Sequence, residues 1–98
     1  MNISHTREGE KLTICLNGRL DTVTAPELES FLMENLEGVT SLVFDLKEMD
    51  YTSSAGLRIF LKAQKLMSGR GEMVIENVQE DVMEVFEITG FTDFLTIR

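Results

Sequence analysis

The chain has 98 residues, with 17 acidic against nine basic side chains, a net charge of −8 and 43% hydrophobic residues. That is room for a single domain, residues 1–98, with a small core, and too apolar a composition for disorder. The charge makes the chain a poor nucleic-acid binder, so no direct nucleic-acid contact is expected, and it disfavours anionic membranes; with no run near the roughly 20 apolar residues that cross a bilayer and no leader-like apolar segment at the start, a cytoplasmic protein without membrane insertion is expected.

Met1–Arg7 reads as a weakly patterned edge strand and Glu8-Gly9-Glu10 as a turn. Lys11–Leu16 alternates, with Leu12, Ile14 and Leu16 on one face, so residues 2–7 and 11–17 are expected to form an antiparallel hairpin. Cys15 is the only cysteine; it has no disulfide partner and reads as a buried, inert thiol. Gly18-Arg19-Leu20-Asp21 then leaves the strand, where an Asp commonly bonds local N–H groups.

Thr24-Ala25-Pro26-Glu27 has the marks of a helix start: Thr24 and Glu27 at capping-box spacing, Pro26 in the first turn, and Val23 and Leu28 spaced as a staple. Leu28, Phe31, Leu32 and Leu36 form its stripe and Gly38 ends it, giving a helix near Thr24–Glu37. Its glutamates have no histidine among them and read as a solvated face, not a metal site.

Leu42–Phe44 is the short apolar run of a central strand covered on both faces. Beyond Asp45, Met49 and Tyr51 come Thr52, Ser53, Ser54, Ala55 and Gly56, then a helical pattern from Leu57. Small hydroxyl residues at a helix start serve as caps. They also present a hydroxyl where an added phosphate would meet free N–H groups and the positive end of the dipole. The second helix is expected near Ser54–Ser68, with Leu57, Phe60, Leu61, Ala63, Leu66 and Met67 facing the core and Gly69 as its cap. Gly69-Arg70-Gly71 lacks the Walker pattern and reads as a turn.

Glu72–Asn77 supplies another buried strand through Met73, Val74 and Ile75. Asn77 and Glu80 are spaced as a capping pair ahead of a third helix near Gln79–Thr89, built on Val82, Val85 and Phe86. Phe91, Phe94, Leu95 and Ile97 are expected to pack the tail onto the body.

Little here supports catalysis. His5 is the only histidine and lies near a terminus, no G-x-S-x-G elbow is present, and Asp45, Glu48 and Asp50 lack calcium-loop spacing. A binding module is expected rather than an enzyme, with no catalytic residue, metal or cofactor.

The segment D-L-x-x-M-x-Y-T-S-S-A-G-L, from Asp45 to Leu57, resembles the signature of the STAS family, the small bacterial anti-sigma factor antagonists. Gly18–Asp21 resembles that family's G-x-L-D segment, and G-x-G-E-M-V-I followed by F-x-x-x-G-F extends the likeness over nearly the whole chain. The resemblance implies an α/β domain with a mixed four- or five-stranded sheet packed with helices. It also implies a switch: the serine two places before the glycine, Ser54 here, is phosphorylated by a partner kinase. Where the best-known members place an Asp before that serine, this chain has Ser53. The implied partners are an anti-sigma factor that is itself a serine kinase, and a serine phosphatase. The implied docking face holds Asp21, Thr52, Ser53, Gly56 and Arg58. The alternative is a ligand-sensing or accessory STAS domain of a transporter or a stress-signalling complex.

Overall fold

The computed structural model describes residues 1–98, in the order β1 (Asn2–Glu8), β2 (Lys11–Leu20), α1 (Ala25–Asn35), β3 (Ser41–Thr52), α2 (Ser54–Met67), β4 (Glu72–Glu76) and α3 (Glu80–Ile88), with a 3-10 turn at Phe91–Asp93. The four strands form one sheet in the order β1-β2-β3-β4. β1 runs antiparallel to β2, while β2, β3 and β4 are mutually parallel. The tail adds a single parallel bridge, Ile97 to Ile75, at the β4 edge.

Strand order explains where the helices lie. Both parallel crossovers, through α1 and α2, step the same way along the sheet, and right-handed crossovers then place both helices on one face. Side chains on that face form rows across the strands: Leu12, Leu42 and Met73, then Ile14, Phe44 and Ile75. These residues share one buried cluster with Leu28 and Leu32 of α1, Leu57 and Phe60 of α2, and Val82 and Phe86 of α3. Phe44, Phe60 and Phe86 form a run of edge-to-face pairs at its centre, with ring centroids 5.1 and 5.9 Å apart. Leu42–Phe44 is buried on both faces: Val43 and Val74, which pair on the face opposite this cluster, are buried as well. Cys15 is only half-buried.

The largest departure from expectation is β3, which runs to Thr52 rather than stopping at Phe44. Between Cys15 and Asn17 of β2, β3 advances from Asp45 to Glu48; between Gly18 and Arg19 it advances from Met49 to Tyr51. Each slip inserts one extra residue into β3, a bulge. The buried positions therefore fall at Leu46, Met49 and Thr52, three apart, and the two-residue alternation that marks a strand is lost. The same pairing carries β2 on to Leu20.

Three helix ends also differ. Thr24 makes no side-chain cap; its Oγ1 accepts from the Asp21 N–H and donates to the Arg19 carbonyl. Asp21 instead orders the turn before the helix, its Oδ1 accepting from the N–H groups of Val23 and Thr24. Val23 is 83% exposed, so no staple forms. Asn77 does not cap α3 either: it holds a left-handed backbone, φ 58°, and its Nδ2 donates to Asp45 Oδ1. At the C-terminal end of α1, where the last turn has no basic residue, Arg7 donates to the Glu37 carbonyl and Arg70 to the Leu36 carbonyl. These guanidinium groups satisfy orphan carbonyls and oppose the negative end of the helix. In the tail, Leu95 is buried but Phe94 is 64% exposed.

Candidate functional site

The bulged ends of β2 and β3 and the first turn of α2 meet at one place. The Ser53 N–H donates to the Leu20 carbonyl at 2.9 Å, extending the β2–β3 ladder by one step, and the Ser53 carbonyl then accepts the first helical bond, from Leu57 N–H at 3.1 Å. Ser53 keeps an extended backbone, φ −98° and ψ 177°, and Ser54 is the first residue of α2. Strand thus passes to helix in one residue, which is why the side chains here must be small.

The structure separates the clustered residues by depth. Thr52 is 3% exposed, and its Oγ1 donates to the Ser53 carbonyl. Ser53 Oγ is buried and has no hydrogen-bond partner. Gly56 is buried; a Cβ there would lie 2.7 Å from Leu20 Cγ and would press on Thr52 Oγ1. Ser54 and Arg58 are exposed. Of the five residues expected to form a docking face, Thr52 and Gly56 therefore cannot present side chains to a partner. Gly56, in the first turn of α2, packs directly against Thr52 and Leu20. Gly56→Ala is expected to cost about 1–3 kcal/mol through overpacking, read as a lower urea midpoint for unfolding.

Asp21 follows Leu20 directly, so it stands beside this turn. Its carboxyl is held below the usual carboxylate range, chiefly by the Thr24 N–H and with further help from the Val23 N–H, the Thr24 hydroxyl and the Arg19 guanidinium. A carboxylate whose folded pKa is depressed stabilises the fold above its unfolded pKa, and the contribution disappears as pH falls through the folded value. Asp21→Ala should therefore melt below the wild type at neutral pH. The gap should narrow as the solution is acidified past the carboxylate range, as thermal melts across pH will show.

Sequence reasoning missed two members of this surface. Arg19 and Tyr51 are cross-strand neighbours, and the Arg19 guanidinium lies 4.0 Å from the Tyr51 ring centroid. Arg19 Nε is also 3.9 Å from Asp21 Oδ2. The stack exists because the second bulge puts Tyr51, rather than Asp50, opposite Arg19. Arg58 makes no ion pair or hydrogen bond with Ser54, and remains a free cation one helical turn away.

The STAS domain family model matches residues 2–98. The chain belongs to the STAS domain family. Among relatives of this STAS domain, BtrV of Bordetella bronchiseptica is 39% identical over 88 residues, spanning 88% of this chain and 76% of that protein. The anti-sigma-B factor antagonist of Listeria monocytogenes is 34% identical over 104 residues, spanning all of this chain and 90% of its own. Among solved structures, the anti-sigma factor antagonist SpoIIAA in its unphosphorylated form superposes with a TM-score of 0.77 at 15% identity, over 99% of this chain and 87% of that one. The phosphorylated form of Bacillus SpoIIAA gives 0.76 at 16% identity, over 99% and 91%. At such identities these superpositions establish the STAS fold, a single α/β domain with a mixed four-stranded sheet.

Proposed function

We propose that this STAS domain is an anti-sigma factor antagonist switched by phosphorylation of Ser54. The observation that carries the reading is the difference in depth within the hydroxyl cluster: Thr52 is buried, Ser53 Oγ is sealed, and Ser54 is exposed. The relatives' names and the two forms in which SpoIIAA has been solved support the same reading.

Unphosphorylated, the domain docks through Ser54, Arg58, Asp21 and the Arg19–Tyr51 stack onto an anti-sigma factor that is a serine kinase, and the sigma factor is released. The kinase then transfers the γ-phosphoryl group of ATP to Ser54 Oγ; the bond to the leaving ADP breaks and the hydroxyl proton passes to a base on the kinase. The modified serine carries roughly −1.5 to −2 charges. Within the domain, the free N–H groups of the first helical turn and the dipole accommodate that charge. A docked partner would have to desolvate it, so binding ends. A serine phosphatase restores the hydroxyl.

The test is competition. Each serine-kinase anti-sigma factor of the source genome is loaded with its sigma factor, and unmodified domain is added. Release of one sigma factor, with a stable domain–kinase complex, is expected; release of none contradicts the reading.

The alternative, a ligand-sensing domain, has one feature in its favour: an apolar groove of about 450 Å³ between the ends of α1 and α2, lined by Leu32, Leu36, Val39 and Leu66. Arg70, Glu37 and Thr40 also line it, but Arg70 donates to the Leu36 carbonyl and the Thr40 hydroxyl to Glu10, so both are already engaged within the domain.

A further inference from the structure

We propose that the outer face of α3, with the 3-10 turn behind it, is a second docking surface, fitted to a partner segment that carries Lys or Arg beside apolar side chains. Two exposed apolar residues define it: Ile88 is 77% exposed and Phe94 is 64% exposed. Neither serves the core. The inward stripe of α3 is Val82 and Phe86, both buried, whereas Ile88 follows Glu84 by four residues and Asp81 by seven, which puts it on their outward row. Phe94 closes the 3-10 turn that packs beside α3, and it is Leu95, not Phe94, that anchors this segment in the core.

Charge selects the occupant. Glu80, Asp81, Glu84 and Glu87 are all exposed on α3, and Asp93 follows. No Lys or Arg occurs between Glu72 and Ile97, and none of these carboxylates belongs to either ion pair of the structure. Glu80 and Glu84 lie one helical turn apart, as do Glu84 and Glu87, so they repel, and Glu87 sits at the negative end of the helix. A second copy of this face would add further like-charge repulsion. A basic segment removes it, and apolar side chains on that segment cover Ile88 and Phe94.

The Ile88–Phe94 end of this surface is also distant from Ser54 in the topology. The tail re-enters parallel to β4 at Ile75, so α3 has first run back toward the N-terminal ends of the strands. Ser54 follows the C-terminal end of β3. Docking centred on Ile88 and Phe94 is therefore expected to be independent of the phosphorylation state of Ser54.

The experiment is an NMR titration of isotopically labelled protein with a helical peptide of leucines and lysines at amphipathic spacing, and with its glutamate-for-lysine counterpart. The lysine peptide is expected to shift amides from Glu84 to Phe94, and the glutamate peptide to shift none. Ile88→Ser combined with Phe94→Ser, and separately Glu84→Lys combined with Glu87→Lys, should each weaken binding about tenfold or more. Glu34→Lys combined with Glu37→Lys makes the same charge change on α1 and should leave affinity nearly unaltered, and Ser54→Asp should bind the peptide as the wild type does. Absence of binding, shifts mapping elsewhere, or an equal loss in the α1 variant would overturn the proposal.

Discussion

Phe60→Ala is expected to destabilise the domain by about 3–5 kcal/mol. Phe60 is fully buried and is the middle ring of the Phe44–Phe60–Phe86 run. Its removal leaves a cavity and breaks both aromatic pairs, each worth about 0.5–1.5 kcal/mol beyond area burial. A domain of this size holds only about 5–15 kcal/mol in total, so the variant should sit close to its unfolding transition at room temperature. Phe94→Ala removes the same ring from an exposed position and should change stability by less than about 0.5 kcal/mol. Urea unfolding of the two variants side by side checks the assignment of inside and outside. Near-equal losses would mean that the core is wrongly placed.

Ser54→Asp should leave the fold intact and weaken binding to the anti-sigma factor severely. Leaving an unpaired charge buried in an interface costs about 2–5 kcal/mol, which is about 30-fold or more in affinity. The same carboxylate in the free domain faces solvent at the start of α2, where the dipole favours it by about 0.3–1 kcal/mol. Calorimetric titration should therefore show the affinity loss while the melting temperature holds or rises slightly. Ser54→Ala should bind like the unmodified wild type and should not be released by ATP.

Much of this architecture was legible in the sequence, because the apolar periods of the helices and of β2 follow directly from one-sided burial, and the unbroken apolar run Met73–Ile75 marks β4 as a strand buried on both faces. Ser54 opens α2 where expected, since an extended, tightly packed residue must precede it and only small side chains fit there. The second half of β3 was not legible. Two bulges change its buried spacing from two residues to three, and Lys47, Glu48, Asp50 and Tyr51 then read as a loop. The Arg19–Tyr51 stack was lost with it, since the pair exists only in the bulged register. Capping patterns misled for a different reason. Thr24 and Asn77 each had a stronger competing partner, Asp21 with the Arg19 carbonyl in one case and Asp45 in the other. The resemblance implied that Thr52 and Gly56 belong to a docking face, yet they are small because the interior leaves no more room.

The central claim is that Ser54 is the regulated hydroxyl. Its most direct test is to incubate the wild type with its kinase partner and ATP and to map the phosphate by tandem mass spectrometry. Burial of Ser53 Oγ and exposure of Ser54 predict a single phosphate on Ser54, retained in full by Ser53→Ala and absent from Ser54→Ala. A phosphate on Ser53, or none on either serine while the kinase binds and turns over ATP, would contradict the account.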